Sequence, residues 1–366
     1  MYFKEIEIKN FRNYKSAGVS FHPEINIFTG DNGQGKTSLA EAIYTMCLGR
    51  SFRTQRDRDM IKFGEEAAVV RSVVCKNDRN IRTDLVISRS ERKKIKINGV
   101  PKKRQELSNN ILIVAFSPDD LKIVKEDPDK RRRFLNREIC QLSPSYYEAI
   151  GAYTKILSQR NTLLKGERPD SGLLGVWNEE LVRYGSRVIK ERKLFTDRLS
   201  EISSVIHGEI SNGKEELLLE YESDISYSND IEEIKNDFRK KVEASERTDL
   251  LRRSTSVGPH HDDIKISING TDVRKFGSQG QQRTAALSLK LAEIKLIEEE
   301  TGEKPVLILD DVLSELDKTR QQYLIETLEG VQIFLTTTFI SPEIASQFKE
   351  KSVFEINDGN VKKRLE

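Results

Sequence analysis

Apolar and charged residues alternate from Tyr2 to Ile8, which predicts a strand, followed by the turn-like stretch Asn10–Tyr14, NFRNY. A second alternation, Ile25–Phe28, runs through a glycine-rich stretch into the helix-like segment Ser38–Cys47. Ala67–Val74, Ile81–Ile87 and Ile95–Ile97 gather β-branched residues between polar turns, and Asn98–Gly99 is a hairpin signal. Together they predict a small antiparallel lobe. Ile111–Phe116 is a continuous apolar run of buried-strand length, ending at Ser117–Pro118. From Pro128 the period changes. Arg131–Arg133 begin a helical segment, Pro144 to Ile210 is helical with a break near Gly166–Gly175, and Ile231–Val242 continues it. Strand signals return at Ile264–Ile268, with Asn269–Gly270 as a turn. The helical run Thr284–Glu300, the strand Val306–Leu309, the helix Asp317–Leu328 and strands at Val331–Leu335 and Val353–Ile356 close the chain. The pattern predicts an α/β protein: a mixed-sheet core with an antiparallel β lobe (residues 1–127 and 255–366) and an inserted helix-rich domain (residues 128–254). That insertion is too short and too interrupted for a long coiled coil.

Composition changes this picture little. The 366 residues carry 61 Lys and Arg against 59 Asp and Glu, so bulk charge names no partner and any polyanion contact must come from local patches. Three such patches stand out: Gly49–Arg58, Arg89–Arg104 and Arg131–Arg133. Each is either a solvated face or a functional contact: Gly49–Arg58, beside the glycine-rich stretch, is where a charge-stabilising arginine would sit, and the last two are candidate contacts to nucleic-acid phosphates. No apolar run has membrane-spanning length, and the alternating N-terminus does not read as a signal peptide. Cys47, Cys75 and Cys140 lie far apart without metal spacing, so the expectation is a cytoplasmic protein with free thiols and no membrane association.

The candidate chemistry centres on Gly30–Thr37, GDNGQGKT, between a strand and a helix. This is the phosphate-binding loop spacing, in which backbone N–H groups form an anion nest at a helix N-terminus. Gly30, Asp31, Asn32, Gly33, Gln34, Gly35, Lys36, Thr37 and Ser38 are therefore expected to bind a nucleoside triphosphate. Lys36 would reach the β- and γ-phosphates and the Thr37 hydroxyl would ligate Mg²⁺. Arg12 and Asn13 either border the nucleotide or belong to a hairpin anchored by Phe11 and Tyr14. Asp310, ending an apolar strand, is expected to hold Mg²⁺ opposite Thr37, and Asp311 to orient or deprotonate the attacking water. Ser278, Gly280 and Gln281, in SQGQ before a long helix, suggest a second anion nest. One chain has little use for two, so this nest is expected to complete the γ-phosphate shell of a partner copy in an ATP-dependent homodimer. Lys36, Asp310, Asp311 and Ser278 make up the expected catalytic set.

The order of these pieces resembles the head of an ABC-type ATPase of the SMC branch. Within that branch the chain closely resembles the RecF family of bacterial recombination mediators. The likeness is carried by NFRNY, GDNGQGKT, GRSFRT at Gly49–Thr54, FSPDDL at Phe116–Leu121 and KRRRFLN at Lys130–Asn136. It continues through GPHHDD at Gly258–Asp263, FGSQGQQRTAALSLKLAE at Phe276–Glu293, LDDVLSELD at Leu309–Asp317 and the threonines Thr336–Thr338. The resemblance implies ATP and Mg²⁺ as cofactors, weak DNA-stimulated hydrolysis, and a homodimer that clamps double-stranded or gapped DNA. It also implies RecR and RecO as partners in loading RecA. An SMC-like tethering ATPase without recombinase loading is the alternative. Departures include Asp311 and Thr336–Thr338 where transporters place a Glu and a His, which RecF-like proteins share. Ser117 stands where many relatives carry a magnesium-sensing Gln, and His261 where an Arg is expected.

Overall fold

A computed structural model describes residues 1–108, 110–339, 348 and 350–364. In chain order the first half contains β1 (Tyr2–Phe11), β2 (Tyr14–Ser20), β3 (Ile25–Thr29), α1 (Lys36–Leu48), β4 (Ala67–Lys76), β5 (Arg79–Ser88), β6 (Lys94–Ile97), β7 (Val100–Pro101) and β8 (Ile113–Phe116). Then come α2 (Leu121–Lys125), α3 (Pro128–Leu142), α4 (Pro144–Leu164), α5 (Ser171–Ile210), β9 (Leu217–Glu222) and α6 (Ile231–Arg252). The remainder is β10 (Asp263–Ile268), β11 (Thr271–Asp272), α7 (Val273–Phe276), α8 (Gln279–Thr301), β12 (Val306–Asp310), α9 (Lys318–Thr327), β13 (Ile333–Thr337), β14 (Lys351–Asn357) and β15 (Asn360–Lys363). By internal packing the chain divides into two units, Met1–Asp120 with Glu293–Glu366, and Leu121–Ala292. The sequence pattern places boundaries at 127/128 and 254/255; by packing, β10 and the SQGQ stretch group with the second unit.

In the first unit one sheet has the order β15-β14-β3-β13-β12-β8, with β8, β12, β13, β3 and β14 in parallel register. The other is antiparallel, β2-β1-β4-β5-β6-β7, and contains the expected lobe. α1 packs against β8, β12 and β13 of one sheet and β1 and β4 of the other, and all its residues except Thr37 are buried. A helix buried on every side has no polar stripe, which is why its sequence reads as apolar all round. Gln332 joins the sheets: its amide oxygen accepts from Phe3 N at 2.7 Å, and its amide nitrogen donates to Phe3 O and His22 O. Phe21, Phe28, Phe334 and Phe354 pack edge-on or stacked below. The parallel registers Asp310↔Thr336 and Thr336↔Phe28 bring the carboxyl ends of β12, β13 and β3 level, the edge at which open α/β sheets bind ligands.

The second unit combines helices with the sheet β11-β10-β9. β9 was not expected, and the interruption between α4 and α5 spans residues 165–170, so Gly172 and Gly175 lie inside α5. Three buried arginines tie this unit together. Arg160 donates to Asp249, Thr255 and Asn178; Arg192 to Tyr146, Asn136 and the carbonyl of Pro259. Arg131 grips Asp263 through both carboxylate oxygens and also donates to the carbonyls of Ile123 and Glu126. Arg131 is 2% exposed, so the reading of Arg131–Arg133 as a phosphate-contact patch is corrected: its first member is structural. Arg132 is likewise committed, to Asp262 O and Asp129. His261 Nε2 donates locally to Thr255 O, and His260 Nδ1 lies 2.6 Å from Tyr153 OH. No helix among the described residues is long and apolar enough to cross a membrane.

Candidate functional site

The loop after β3 has three glycines with positive φ, Gly30, Gly33 and Gly35, and two of them are also closely packed. A Cβ on Gly30 (φ 144°) would sit 2.3 Å from Ile356 O, and one on Gly35 (φ 121°) 2.7 Å from the Asn13 amide. The loop is pinned from both sides. Asn13 donates to Gln34 O at 2.9 Å and Tyr14 OH to Gly35 O at 3.0 Å. On the other flank the β14–β15 turn supplies Gly359 N to Gln34 O and Asp358 N to the Gln34 side chain. Lys36 folds back over this frame, its Nζ donating to Gly30 O at 2.6 Å and Asp31 O at 2.9 Å. Burial pulls its pKa down, against the opposing fields of Asp311, Asp31 and Asp310. α1 begins at Gly35 with no side-chain cap and no acid in its first turn, so its first amides are left for an external anion.

Across the loop, Thr37 Oγ1 donates to Asp310 Oδ1 at 2.8 Å, and Thr336 Oγ1 donates to the same oxygen at 2.7 Å. Burial raises the pKa of Asp310, and these two hydroxyls and the charge of Arg53 act against it. Asp311 has φ 56°, a strained left-handed backbone for a non-glycine residue, held by its N–H donating to Thr336 O and Thr336 Oγ1. Among the described residues no cluster of three metal-ligating side chains occurs. One carboxylate with one hydroxyl suits Mg²⁺, which keeps waters and takes phosphate oxygens for the rest of its shell.

Arg12, Asn13, Asn32, Gly33, Gly35, Lys36, Thr37, Ser38 and Asp311 line one cleft of about 660 Å³. Gly30, Asp31 and Gln34 instead line a smaller cleft on the far side of the loop. Arg12 is thereby placed in the cleft wall, and the reason is not visible in its local sequence. Glu41, fully buried on α1, takes Arg12 through both oxygens at 2.8 and 2.6 Å, accepts from Ser51 and lies 3.4 Å from Arg53. Arg53, Arg58, Asp59, Ile61, the exposed Phe63, Arg89 and Thr336 complete the lining; Arg53 and Arg58 come from the stretch expected to offer a charge-stabilising arginine, and the other five were missed as nucleotide-site residues. GRSFRT stands out in the sequence by its charge and as one of the pieces that carry the family likeness; a carboxylate in an otherwise apolar helix was the signal available for Glu41.

Ser278, Gly280 and Gln281 lie at the start of α8. Ser278 Oγ accepts from Gln281 N and Ser278 N donates to Gln281 Oε1 at 2.9 Å, a reciprocal capping box. Within one chain these groups satisfy each other. Gln281 is held in turn by Glu215 at 2.9 Å, and Glu215 by the buried His207 at 3.1 Å. Ser117 spends both its N–H and hydroxyl on Asp120.

A parallel-sheet core with this loop, strand-end acid and threonine defines an ABC-type ATPase head of the SMC kind. The chain belongs to the family described as RecF/RecN/SMC N terminal domain, whose model matches residues 2–360. Within that family its relatives are RecF proteins. It is 41% identical over 367 residues to the DNA replication and repair protein RecF of Lachnoclostridium phytofermentans, covering 99% of this chain and 100% of the relative. It is 44% identical over 365 residues to that of Agathobacter rectalis, covering 99% of each. A solved structure described as the recombination mediator protein RecF-ATPrS in the RecFOR pathway matches with TM-score 0.92 and 40% identity, covering 100% of this chain and 98% of that one. An Smc head bound to the C-terminal winged-helix domain of ScpA shares the fold, at TM-score 0.57 and 16% identity over 100% of this chain and 97% of that one.

Proposed function

We propose that the chain is an ATP-driven switch that acts on DNA as a recombination mediator. The observation that carries this is the Thr37–Asp310 hydrogen bond of 2.8 Å, which joins the loop helix to the strand-end acid where a magnesium nucleotide needs both. Lys36 would leave the carbonyls of Gly30 and Asp31 for the β- and γ-phosphates, and the uncapped first turn of α1 would donate to them. Thr37 and Asp310 would hold Mg²⁺, which when bound neutralises charge on the transferring phosphoryl group. Asp311, set at the cleft by its left-handed backbone, would orient water; its side chain is one methylene shorter than Glu, which supports slow hydrolysis suited to a timer.

The exposed start of α8 supports a second part of this reading. Ser278, Gly280 and Gln281 would cap the γ-phosphate held by a partner copy, so that ATP favours the homodimer and ADP does not. The closed dimer would hold double-stranded or gapped DNA. RecO and RecR are the proposed partners in loading RecA, supported by the RecFOR description of the similar solved structure. Equilibrium titration of the nucleotide in Mg²⁺ tests the site. Lys36→Ala is expected to lose ATP affinity by two orders of magnitude or so, since a charge on the phosphates is removed. Unchanged affinity would refute the assignment.

A further inference from the structure

Beside the nucleotide cleft lies a second cavity of about 930 Å³, between the turn Arg56–Asp59 and the segment Ile87–Lys93. Two of its three acids are paired with lysines. Asp57 pairs with Lys93 at 2.7 Å, Asp59 accepts from Thr54 at 2.5 Å, and Glu91 pairs with Lys94. Three of its cations are not so paired. Arg56, Arg58 and Arg92 are exposed on the cavity walls, and among the described residues their guanidinium groups make no hydrogen bond or ion pair. Single solvated arginines are ordinary surface residues. Three around one concavity whose one carboxylate without an ion pair is Asp59 leave positive charge in excess and focus a positive potential into it.

The walls are also held in place. Lys93 donates to Gly49 O as well as to Asp57, which ties the hairpin to the turn and to the end of α1. Arg89 donates from its backbone to Glu66 O and from Nε to Glu65 O. No aromatic side chain lines the cavity, so it lacks the aromatic platform on which single-strand binders stack successive bases. A ligand that shows phosphates and hides its bases fits this chemistry: duplex DNA, read through its backbone.

We propose that this groove is a duplex-DNA backbone site in which Arg56, Arg58 and Arg92 contact phosphates. The proposal rests on the DNA-acting reading above. It differs from the basic stretch seen in the sequence, since it takes only Arg92 from Arg89–Arg104 and adds the turn before β4. Arg58, Asp59 and Arg89 line both this groove and the nucleotide cleft, so the two sites share a wall.

The test measures binding of a short blunt duplex of arbitrary sequence to the full chain, with Mg²⁺ and a non-hydrolysable ATP analogue, across a salt series. The double variant Arg56→Gln/Arg92→Gln spares the nucleotide cleft, which neither residue lines. Its duplex affinity is expected to fall about tenfold, and the slope of log affinity against log salt to flatten by about 2, at roughly 0.9 for each phosphate that is no longer neutralised. ATP affinity without DNA should stay at the wild-type value, and Arg56→Lys/Arg92→Lys should restore the slope. A wild-type chain that holds duplex, with a variant of the same affinity and slope, overturns the groove assignment and leaves the DNA reading standing. A wild-type chain that holds no duplex at any salt overturns both.

Discussion

Asp311 and Asp310 are neighbours with opposite settings. Asp310 is buried and accepts from two threonines, whereas Asp311 faces the cleft on a strained backbone. Asp311→Asn preserves size and removes the charge, so it should bind ATP normally and lower turnover by about 10²-fold or more. Single-turnover hydrolysis checks it, and a wild-type rate would move the water-orienting role elsewhere. His260 gives a prediction in pH. Burial holds it down at about 4, below its ordinary 6.5, so the folded chain takes up this proton less readily than the unfolded one. Its contribution is fully present above pH 6.5 and is lost as pH falls through 4, on the order of 3 kcal/mol. Unfolding curves at pH 7 and pH 4 should therefore converge in His260→Gln relative to wild type; equal pH dependence in the two would exclude this residue as the cause. The acid pair and Lys36 were legible because spacing announces them. Glu41 and Thr336 were not, because each works only through residues brought near by the fold: Arg12 and Ser51 for one, Asp310 and Asp311 for the other.

At the scale of elements, the phosphate loop is a rigid frame built by its neighbours. Its outer flank leaves no room for a side chain at Gly30, where a Cβ meets the backbone carbonyl of Ile356. Gly30→Ala combines that clash with a disfavoured φ and should destabilise the fold by roughly 2 kcal/mol or more, with nucleotide affinity lost in parallel. Denaturant unfolding of the isolated chain checks the first part. Wild-type stability would mean that β14 gives way. The parallel core strands could be read from sequence because β8 and β12 are buried on both faces and appear as unbroken apolar runs. β9 could not, since LLLEYE lies between helical segments and becomes a strand only by pairing with β10. The same limit applied to Arg131–Arg133. A run of arginines reads as a charged surface until Asp263, more than a hundred residues away, is found bonded to its first member.

At the scale of the molecule, the account turns on whether the start of α8 acts in a second copy. In one chain the Ser278–Gln281 capping box is closed on itself, and Glu215 and His207 hold it ready. In the proposed mechanism this cap would bind the γ-phosphate of ATP held by the partner copy, and nucleotide and partner would then strengthen each other's binding equally. Sedimentation velocity of the chain with Mg²⁺ and ATP, ADP or no nucleotide tests this most directly, using Asp311→Asn to suppress turnover and Ser278→Arg to block the cap. The account predicts dimer with ATP alone, monomer with ADP, and monomer for Ser278→Arg even when its own site is saturated with ATP. A Ser278→Arg chain that dimerises with ATP as wild type does would contradict it.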